Sequence, residues 1–115
     1  MLSRPWTERI RDILDAIKEI QEFTNGMTFD VFELDQKTIK AVELNFIIIG
    51  EAANHISEEV RNQYNNVPWH LMRAMRNQLV HAYFSIEPRI IWDTVQDDLP
   101  SLIEPLSRLL ADQKD

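Results

Sequence analysis

The chain has 115 residues, enough for a single globular domain over residues 1–115, and 44% of them are hydrophobic while 27% are charged. This composition excludes wholesale disorder, and the absence of cysteine excludes disulfides, a thiolate nucleophile and cysteine-ligated metals. No apolar run approaches the roughly 20 residues that span a bilayer, and the first residues do not form a signal peptide, so we expect a cytoplasmic protein without membrane contact.

Charge is unevenly distributed along the chain, whose net charge is -7. Residues 60–86 contain no Asp or Glu. The same segment contains three arginines and two histidines: Arg61, His70, Arg73, Arg76 and His81. A locally basic segment in an acidic protein indicates that an anionic ligand binds at one place, while charge elsewhere solvates the surface.

Apolar residues recur at three- and four-residue spacing over most of the chain, which predicts helices. The first helix is expected over residues 4–23, with Ser3 as a cap before Pro5. Residues 24–26 terminate it, because Gly26 suits the left-handed conformation that follows a helix. Residues 28–34 predict one helical turn. Asp35 is then the expected N-cap of a long helix over residues 36–64.

This long helix is apolar on two sides, because Leu44, Ile47 and Ile48 form a second face opposite the main apolar stripe. Such a helix packs against two neighbours, or against one neighbour and a second subunit. Gly50 costs about 1 kcal/mol relative to Ala in a helix interior. It therefore predicts a close approach of another helix, beside Glu51.

Two further helical regions complete the predicted fold. One helix is expected over residues 69–83, and the last region begins near Ser85 and Pro88. Pro100 and Pro105 interrupt its period, which predicts a kink or break near residues 98–100. No segment alternates with period two, so the sequence predicts an all-α, up-and-down bundle of four or five helices with short connections.

Residues 76–83 read Arg-Asn-Gln-Leu-Val-His-Ala-Tyr and lie on the helix predicted over residues 69–83. Asn77 and His81 share a helix face with Arg73 one turn earlier, whereas Arg76 and His81 are offset by about 140°. Arg76 and His81 line one cleft only if the helix ends near His81 or a second subunit completes the site. Histidine exchanges protons near neutral pH, and arginine holds a phosphate bidentately.

These residue types suit metal-independent cleavage of RNA. Asn77 would orient the imidazole or bond a phosphate oxygen, and Tyr83 would stack on a base, bond a phosphate or be modified. Taken singly, an Arg or a His on an amphipathic helix is more often a surface or interface residue. His55 is expected on a helix surface or at an interface. The three histidines are widely spaced and no His-Glu-x-x-His pattern occurs, so neither a metal site nor a cofactor is expected.

Residues 76–83 match an Arg-x-x-x-x-His-x-Tyr motif. Five further segments occur in the same order as the landmarks of a known family: residues 49–53, 67–69, 75–77, 91–93 and 98–100. In these segments the chain resembles the HepT-like toxins of the HEPN superfamily over nearly its whole length. The resemblance implies an all-α homodimer that brings two motif copies to the subunit interface and forms a composite RNA cleft. It implies that Arg76 and His81 are catalytic, with Asn77, Arg73 and Tyr83 supporting them or binding RNA.

HepT-like toxins act with an MntA-like minimal nucleotidyltransferase antitoxin that attaches AMP to the motif tyrosine, here Tyr83. The resemblance therefore implies AMPylation of Tyr83, and an anionic adduct beside Arg76 and His81 would repel RNA. A dimer of two chains of -7 would carry -14, which disfavours non-specific RNA binding. The target RNA, a tRNA or an mRNA, is not specified by the sequence, although the charge favours a structured target such as tRNA.

Two other functions fit the same residues. The protein could be a non-catalytic helical subunit that binds a nucleotide or presents itself to a nucleotidyltransferase partner. It could also be a helical dimerisation subunit in which the motif only stabilises the interface. Loss of RNA cleavage on replacement of His81 favours the ribonuclease, whereas a large loss of thermal stability favours the dimerisation subunit.

Overall fold

The computed structural model describes residues 5–82 and 85–113 of the chain. These residues form seven α-helices and no strand: α1 (Trp6–Thr24), α2 (Phe29–Leu34), α3 (Gln36–Asn54), α4 (Glu58–Gln63), α5 (Trp69–Ala82), α6 (Pro88–Asp93) and α7 (Pro100–Asp112). A π-helical turn, Thr94–Asp98, joins α6 to α7. The predicted all-α fold is confirmed, and α1, α3, α5 and α7 are its four long helices.

The local signals that end α1 and begin α3 act as the sequence predicted. Gly26 has a φ of 78°, and it follows the last residues of α1 in the left-handed conformation that glycine adopts without strain. Asp35 caps α3, because its Oδ1 accepts a hydrogen bond from the backbone N–H of Thr38 at 3.0 Å. The start of α1 is different: Pro5 occupies the N-cap position and Trp6 begins the helix, while Ser3 lies outside the described residues.

The predicted single helix over residues 36–64 is wrong in its second half. The chain leaves α3 after Asn54 and starts α4 at Glu58, with Ser57 as a cap whose Oγ accepts from the backbone N–H of Val60 at 3.2 Å. Arg61 steadies the turn by donating to the carbonyl of Ile56 at 2.6 Å. Ile56, between the two helices, is buried, so the helical spacing of buried apolar residues continues although the helix itself is interrupted.

The break predicted near residues 98–100 is a π-helical turn. The backbone N–H of Leu99 donates to the carbonyl of Thr94, five residues earlier, at 3.1 Å. This turn lies immediately before Pro100, which has no N–H to donate and begins α7 at its first position. Pro105 lies inside α7 without ending it.

Helix α3 lies at the centre of the arrangement, with α1 packed on one side of it and α5 on the other, while α7 packs on α1. The core between these helices is aliphatic and aromatic. Its largest fully buried side chains are Ile10, Ile13, Ile17, Ile20, Phe32, Ile49, Ile56, Met72, Leu99, Leu102, Leu106 and Leu109. Within the ranges that the structure describes, no helix is both long enough and apolar enough to cross a bilayer.

The second apolar face predicted for the long helix is present on α3 and is left uncovered by the described chain. Leu44 is 58% exposed and Ile48 is 39% exposed, while Ile47 is half-buried beside them. Leu44, Ile48 and Glu51 follow each other at spacings of four and three residues, so they lie on one stripe of the helix. An exposed apolar surface therefore runs along α3 to Glu51.

The cap at Asp35 makes one contribution to stability that depends on pH. Hydrogen bonds from the backbone N–H and the hydroxyl of Thr38 lower the pKa of Asp35 below its ordinary value of 3.8. A folded-state pKa below the unfolded value stabilises the protein above the unfolded pKa, and this stabilisation is lost as pH falls through the folded pKa. The stability difference between wild type and Asp35→Ala, measured by urea denaturation, should therefore be constant near neutral pH and shrink below pH 3.8.

Asp35→Asn is the matched control, because its amide oxygen can still accept from Thr38 but does not titrate. Its stability relative to Asp35→Ala should show no such decline. A difference between wild type and Asp35→Ala that persists unchanged into strong acid would contradict the role assigned to the Asp35 carboxylate.

Candidate functional site

Helix α5 carries the motif, and its buried stripe holds it in place. The apolar spacing of this helix predicts a buried stripe of Met72, Met75, Leu79 and Ala82, and the first three are buried together with Trp69. The indole N–H of Trp69 donates to the carbonyl of Tyr64 at 3.1 Å. Ala82 is only half-buried. The helix ends at Ala82, one residue after His81. His81 therefore lies in its last turn.

The position of Arg76 is set by the glycine of α3. A Cβ atom built on Gly50 would lie 2.1 Å from the Cβ of Arg76 and 3.0 Å from the carbonyl oxygen of Met72. Real Cβ atoms do not approach so closely, so α3 and α5 can meet here only because residue 50 has no side chain. The predicted close approach at Gly50 is thus observed, and the helix that approaches is the one that carries the motif.

The guanidinium group of Arg76 is held from two directions. Its Nε donates to Oε1 of Glu51 at 2.6 Å, and its Nη1 donates to Oδ1 of Asn77 at 3.2 Å. A guanidinium has five N–H donors, so three of them are not used by these two bonds. Arg76 therefore has donors left with which to bind an anion, and Asn77 supports it directly.

The ion pair between Glu51 and Arg76 contributes little to stability. The two side chains are 44% and 31% exposed, and solvent screening leaves such pairs worth about 0–1 kcal/mol. Its main effect is on the site. The basic segment over residues 60–86 contains no acid in sequence, yet α3 places the Glu51 carboxylate directly on its central arginine.

The other predicted site residues occupy different parts of α5. Asn77 and His81 are exposed and Arg73 is half-buried. His70 is exposed at the start of α5, and Arg61 lies in α4, where it donates to the carbonyl of Ile56. Tyr83 lies outside the described residues.

Within the described residues, Arg76 and His81 are not joined by a hydrogen bond. Arg76 packs on α3, whereas the offset of about 140° directs His81 towards the exposed side of α5. In the described part of the chain no group is hydrogen-bonded to His81. The same residues include no cluster of three or more His, Asp or Glu side chains arranged to hold a metal ion. Each chain thus presents an oriented arginine and a histidine on neighbouring faces.

Glu51 is the site residue that the sequence indicated least clearly. It lies 25 residues before Arg76, and no local pattern links two residues at that distance. The available signal was indirect: Gly50 predicted a helix contact, and the residue after it would flank whatever helix made that contact.

An all-α chain with these motif residues on one helix defines a HEPN-type protein, and comparison with known sequences identifies its family. The family profile described as "Ribonuclease HepT-like" matches residues 13–109. The chain belongs to this family. No solved structure matches it with significance.

Three relatives illustrate the similarity. A Methanocaldococcus jannaschii protein with a provisional RNase name is 44% identical over 101 residues, which cover 88% of this chain and 84% of the relative. The probable ribonuclease HepT of Thermococcus cleftensis is 40% identical over 101 residues, or 88% and 92% of the two chains. A provisionally named RNase of Caldanaerobacter subterraneus subsp. tengcongensis is 32% identical over 111 residues, or 96% of each. Ribonuclease activity is thereby supported at the level of the family.

The contact between Gly50 and Arg76 predicts the effect of adding one methyl group. Gly50→Ala should destabilise the protein by about 1–3 kcal/mol, the usual cost of overpacking, although alanine itself is the better helix former by about 1 kcal/mol. The free energy of unfolding, from chemical denaturation, provides the measurement.

Gly26→Ala is the matched control for this substitution. No atom lies within 4 Å of a Cβ built there, but the φ of 78° disfavours alanine, so the control loses stability through backbone strain alone. Both variants should unfold more easily, and only Gly50→Ala should also displace Arg76 and impair the function of the site. Wild-type stability in Gly50→Ala would show that the two helices can separate without cost.

Proposed function

We propose that the protein is the toxin of a toxin–antitoxin pair and acts as a metal-independent endoribonuclease, with Arg76 and His81 as its catalytic residues. One observation carries this proposal. In a chain of the HepT-like ribonuclease family, Arg76 is oriented by Glu51 and Asn77 in the middle of a helix whose last turn exposes His81. Arg73, half-buried one turn earlier, adds a second positive charge for the RNA backbone.

The proposed reaction is transfer within the RNA. His81 accepts the proton of a 2′-hydroxyl, whose oxygen attacks the adjacent phosphorus, and the bond from phosphorus to the 5′-oxygen breaks. A proton returned by an imidazolium completes the leaving group, and the products are a 2′,3′-cyclic phosphate and a 5′-hydroxyl. The arginine stabilises the negative charge that develops on the phosphate oxygens.

A homodimer is part of the proposal, because the ideal-helix offset of about 140° separates the backbone positions of Arg76 and His81 on α5. The exposed stripe of Leu44 and Ile48 on α3 leads to Glu51, and Val80, within the motif segment on α5, is 51% exposed. Two such surfaces, related by a two-fold axis, would bury apolar area and place the two motifs on either side of a common cleft. Two copies of His81 would then supply both a base and an acid.

The partner proposed for this toxin is an MntA-like nucleotidyltransferase antitoxin that attaches AMP to Tyr83. Tyr83 follows His81 by two residues, so an adduct there would add negative charge next to the histidine. RNA, either a tRNA or an mRNA, is the proposed substrate. We place the pair in the cytoplasm, in agreement with a cysteine-free chain, and treat residues 1–115 as one domain.

Cleavage of RNA by the purified, unmodified protein in EDTA tests the ribonuclease function. Wild type should produce fragments ending in 2′,3′-cyclic phosphate, and His81→Ala should lose activity by about 100-fold or more, as expected for removal of a general acid or base. His70→Ala is the matched control, since His70 is an exposed histidine of the same helix. It should cleave as wild type does.

Intact-protein mass must show that Tyr83 carries no AMP before cleavage is scored. Absence of cleavage by an unmodified dimer on both tRNA and mRNA would overturn the ribonuclease function and favour the non-catalytic binding subunit. A large loss of thermal stability in His81→Ala would instead favour a structural role at the dimer interface.

The dimer is tested by charging its proposed surface. Ile48→Asp should convert the dimer to a monomer in analytical ultracentrifugation and abolish cleavage with it, because a carboxylate would be buried against its symmetry mate. Leu34→Asp is the control, since Leu34 is 83% exposed on α2 and lies outside this surface. A monomeric wild type, or an Ile48→Asp dimer that still cleaves RNA, would exclude this surface as the interface.

A further inference from the structure

Glu51 has a placement that stability alone does not explain. The missing side chain at Gly50 lets α3 approach α5 so closely that the next residue, Glu51, reaches Nε of Arg76 at 2.6 Å. The pair is partly exposed, so it adds little to stability. A carboxylate beside a phosphate-binding arginine also opposes RNA binding, so its presence calls for a role in the site.

The bonding pattern indicates that role. Oε1 of Glu51 accepts a hydrogen bond from the Nε–H of Arg76, and Oδ1 of Asn77 accepts one from Nη1. Two acceptors on different atoms fix both the position and the plane of the guanidinium group. The donors left over are the second N–H of Nη1 and both N–H groups of Nη2. One N–H of Nη2 points to the same side as the Nε–H, where Glu51 lies, and the other belongs to the Nη1–Nη2 edge, which can grip a phosphate bidentately.

We propose that Glu51 is a positioning residue that fixes the guanidinium of Arg76 so that its Nη1–Nη2 edge faces the scissile phosphate. This inference rests on the proposed ribonuclease function. Glu51 itself does not touch the RNA in this scheme; it acts through Arg76. The arrangement lowers the affinity for RNA, because the Glu51 carboxylate repels the phosphate. It raises the turnover number, because the arginine is already oriented when the transition state forms.

Glu51 should therefore favour turnover at the expense of affinity, a combination that a merely structural residue would not produce. Glu51→Ala should lower kcat about 100-fold, the loss expected when a catalytic group is misplaced by about 1 Å. Its KM for RNA should fall or stay unchanged, because a negative charge has been removed from the cleft. Glu51→Gln should retain most of kcat, since its amide oxygen still accepts from Nε–H, and should show the same lower KM.

Glu104→Gln is the matched control. Glu104 forms an exposed ion pair with Arg108 on α7, so this substitution removes the same charge from another Glu–Arg pair. It should leave kcat and KM unchanged. Wild-type kcat in Glu51→Ala, while Arg76→Ala is inactive, would overturn the inference and leave the ribonuclease function standing. A kcat of Glu51→Gln as low as that of Glu51→Ala would also overturn it, because acceptance from Nε–H would then not be the relevant property.

A second measurement needs no activity. In NMR spectra of the intact protein, the Nε–H of Arg76 should exchange slowly with water, and this signal, assigned by its loss in Arg76→Lys, should disappear in Glu51→Ala but remain in Glu51→Gln. A rapidly exchanging Nε–H in wild type would overturn the inference whether or not RNA is cleaved. A slowly exchanging signal in a wild type that cleaves no RNA would support the placement of Glu51 and overturn the ribonuclease function instead.

Discussion

The contact between Gly50 and Arg76 determines how the candidate site is built. Two helix backbones meet at this point, and the approach brings α3 near enough for Glu51 to reach the guanidinium group. The main features of the site follow from it: the arginine is held on the α3 side of α5, and the histidine is left on the exposed side. In the proposed dimer a second chain completes the site, and the uncovered apolar stripe on α3 is the surface on which it would pack.

The basic residues of this chain have other neighbours in the fold than they have in the sequence. The segment over residues 60–86 contains only basic charges, but its arginines have different partners in the fold. Arg61 binds a backbone carbonyl at the turn before α4, and Arg76 bonds to a carboxylate from α3. Arg73 is then the half-buried arginine nearest the motif on the same helix. The positive charge available to an anion is therefore smaller and more directed than the sequence suggests, which suits selective over non-specific binding.

Much of the fold could be predicted because its signals are local. A capping carboxylate at Asp35, a left-handed glycine at Gly26 and the period of the apolar residues each act within a few positions, and each is observed in the structure. The break after Asn54 was missed because Ile56 keeps the helical period of burial while Ser57 caps a new helix. The bond from Arg76 to Glu51 depends on tertiary packing across 25 residues, so only the contact at Gly50, and not its chemical consequence, could be inferred from the sequence.

Gly50 also constrains how this chain can change over evolutionary time. The atom that a side chain at residue 50 would meet is the Cβ of Arg76, which every residue except glycine possesses. A larger residue at 50 therefore demands either glycine at 76, which removes the arginine, or a wider separation of α3 and α5, which takes Glu51 out of reach. Substitutions at residue 50, a buried position, are therefore restricted by the arginine packed against it, although residue 50 itself binds no ligand.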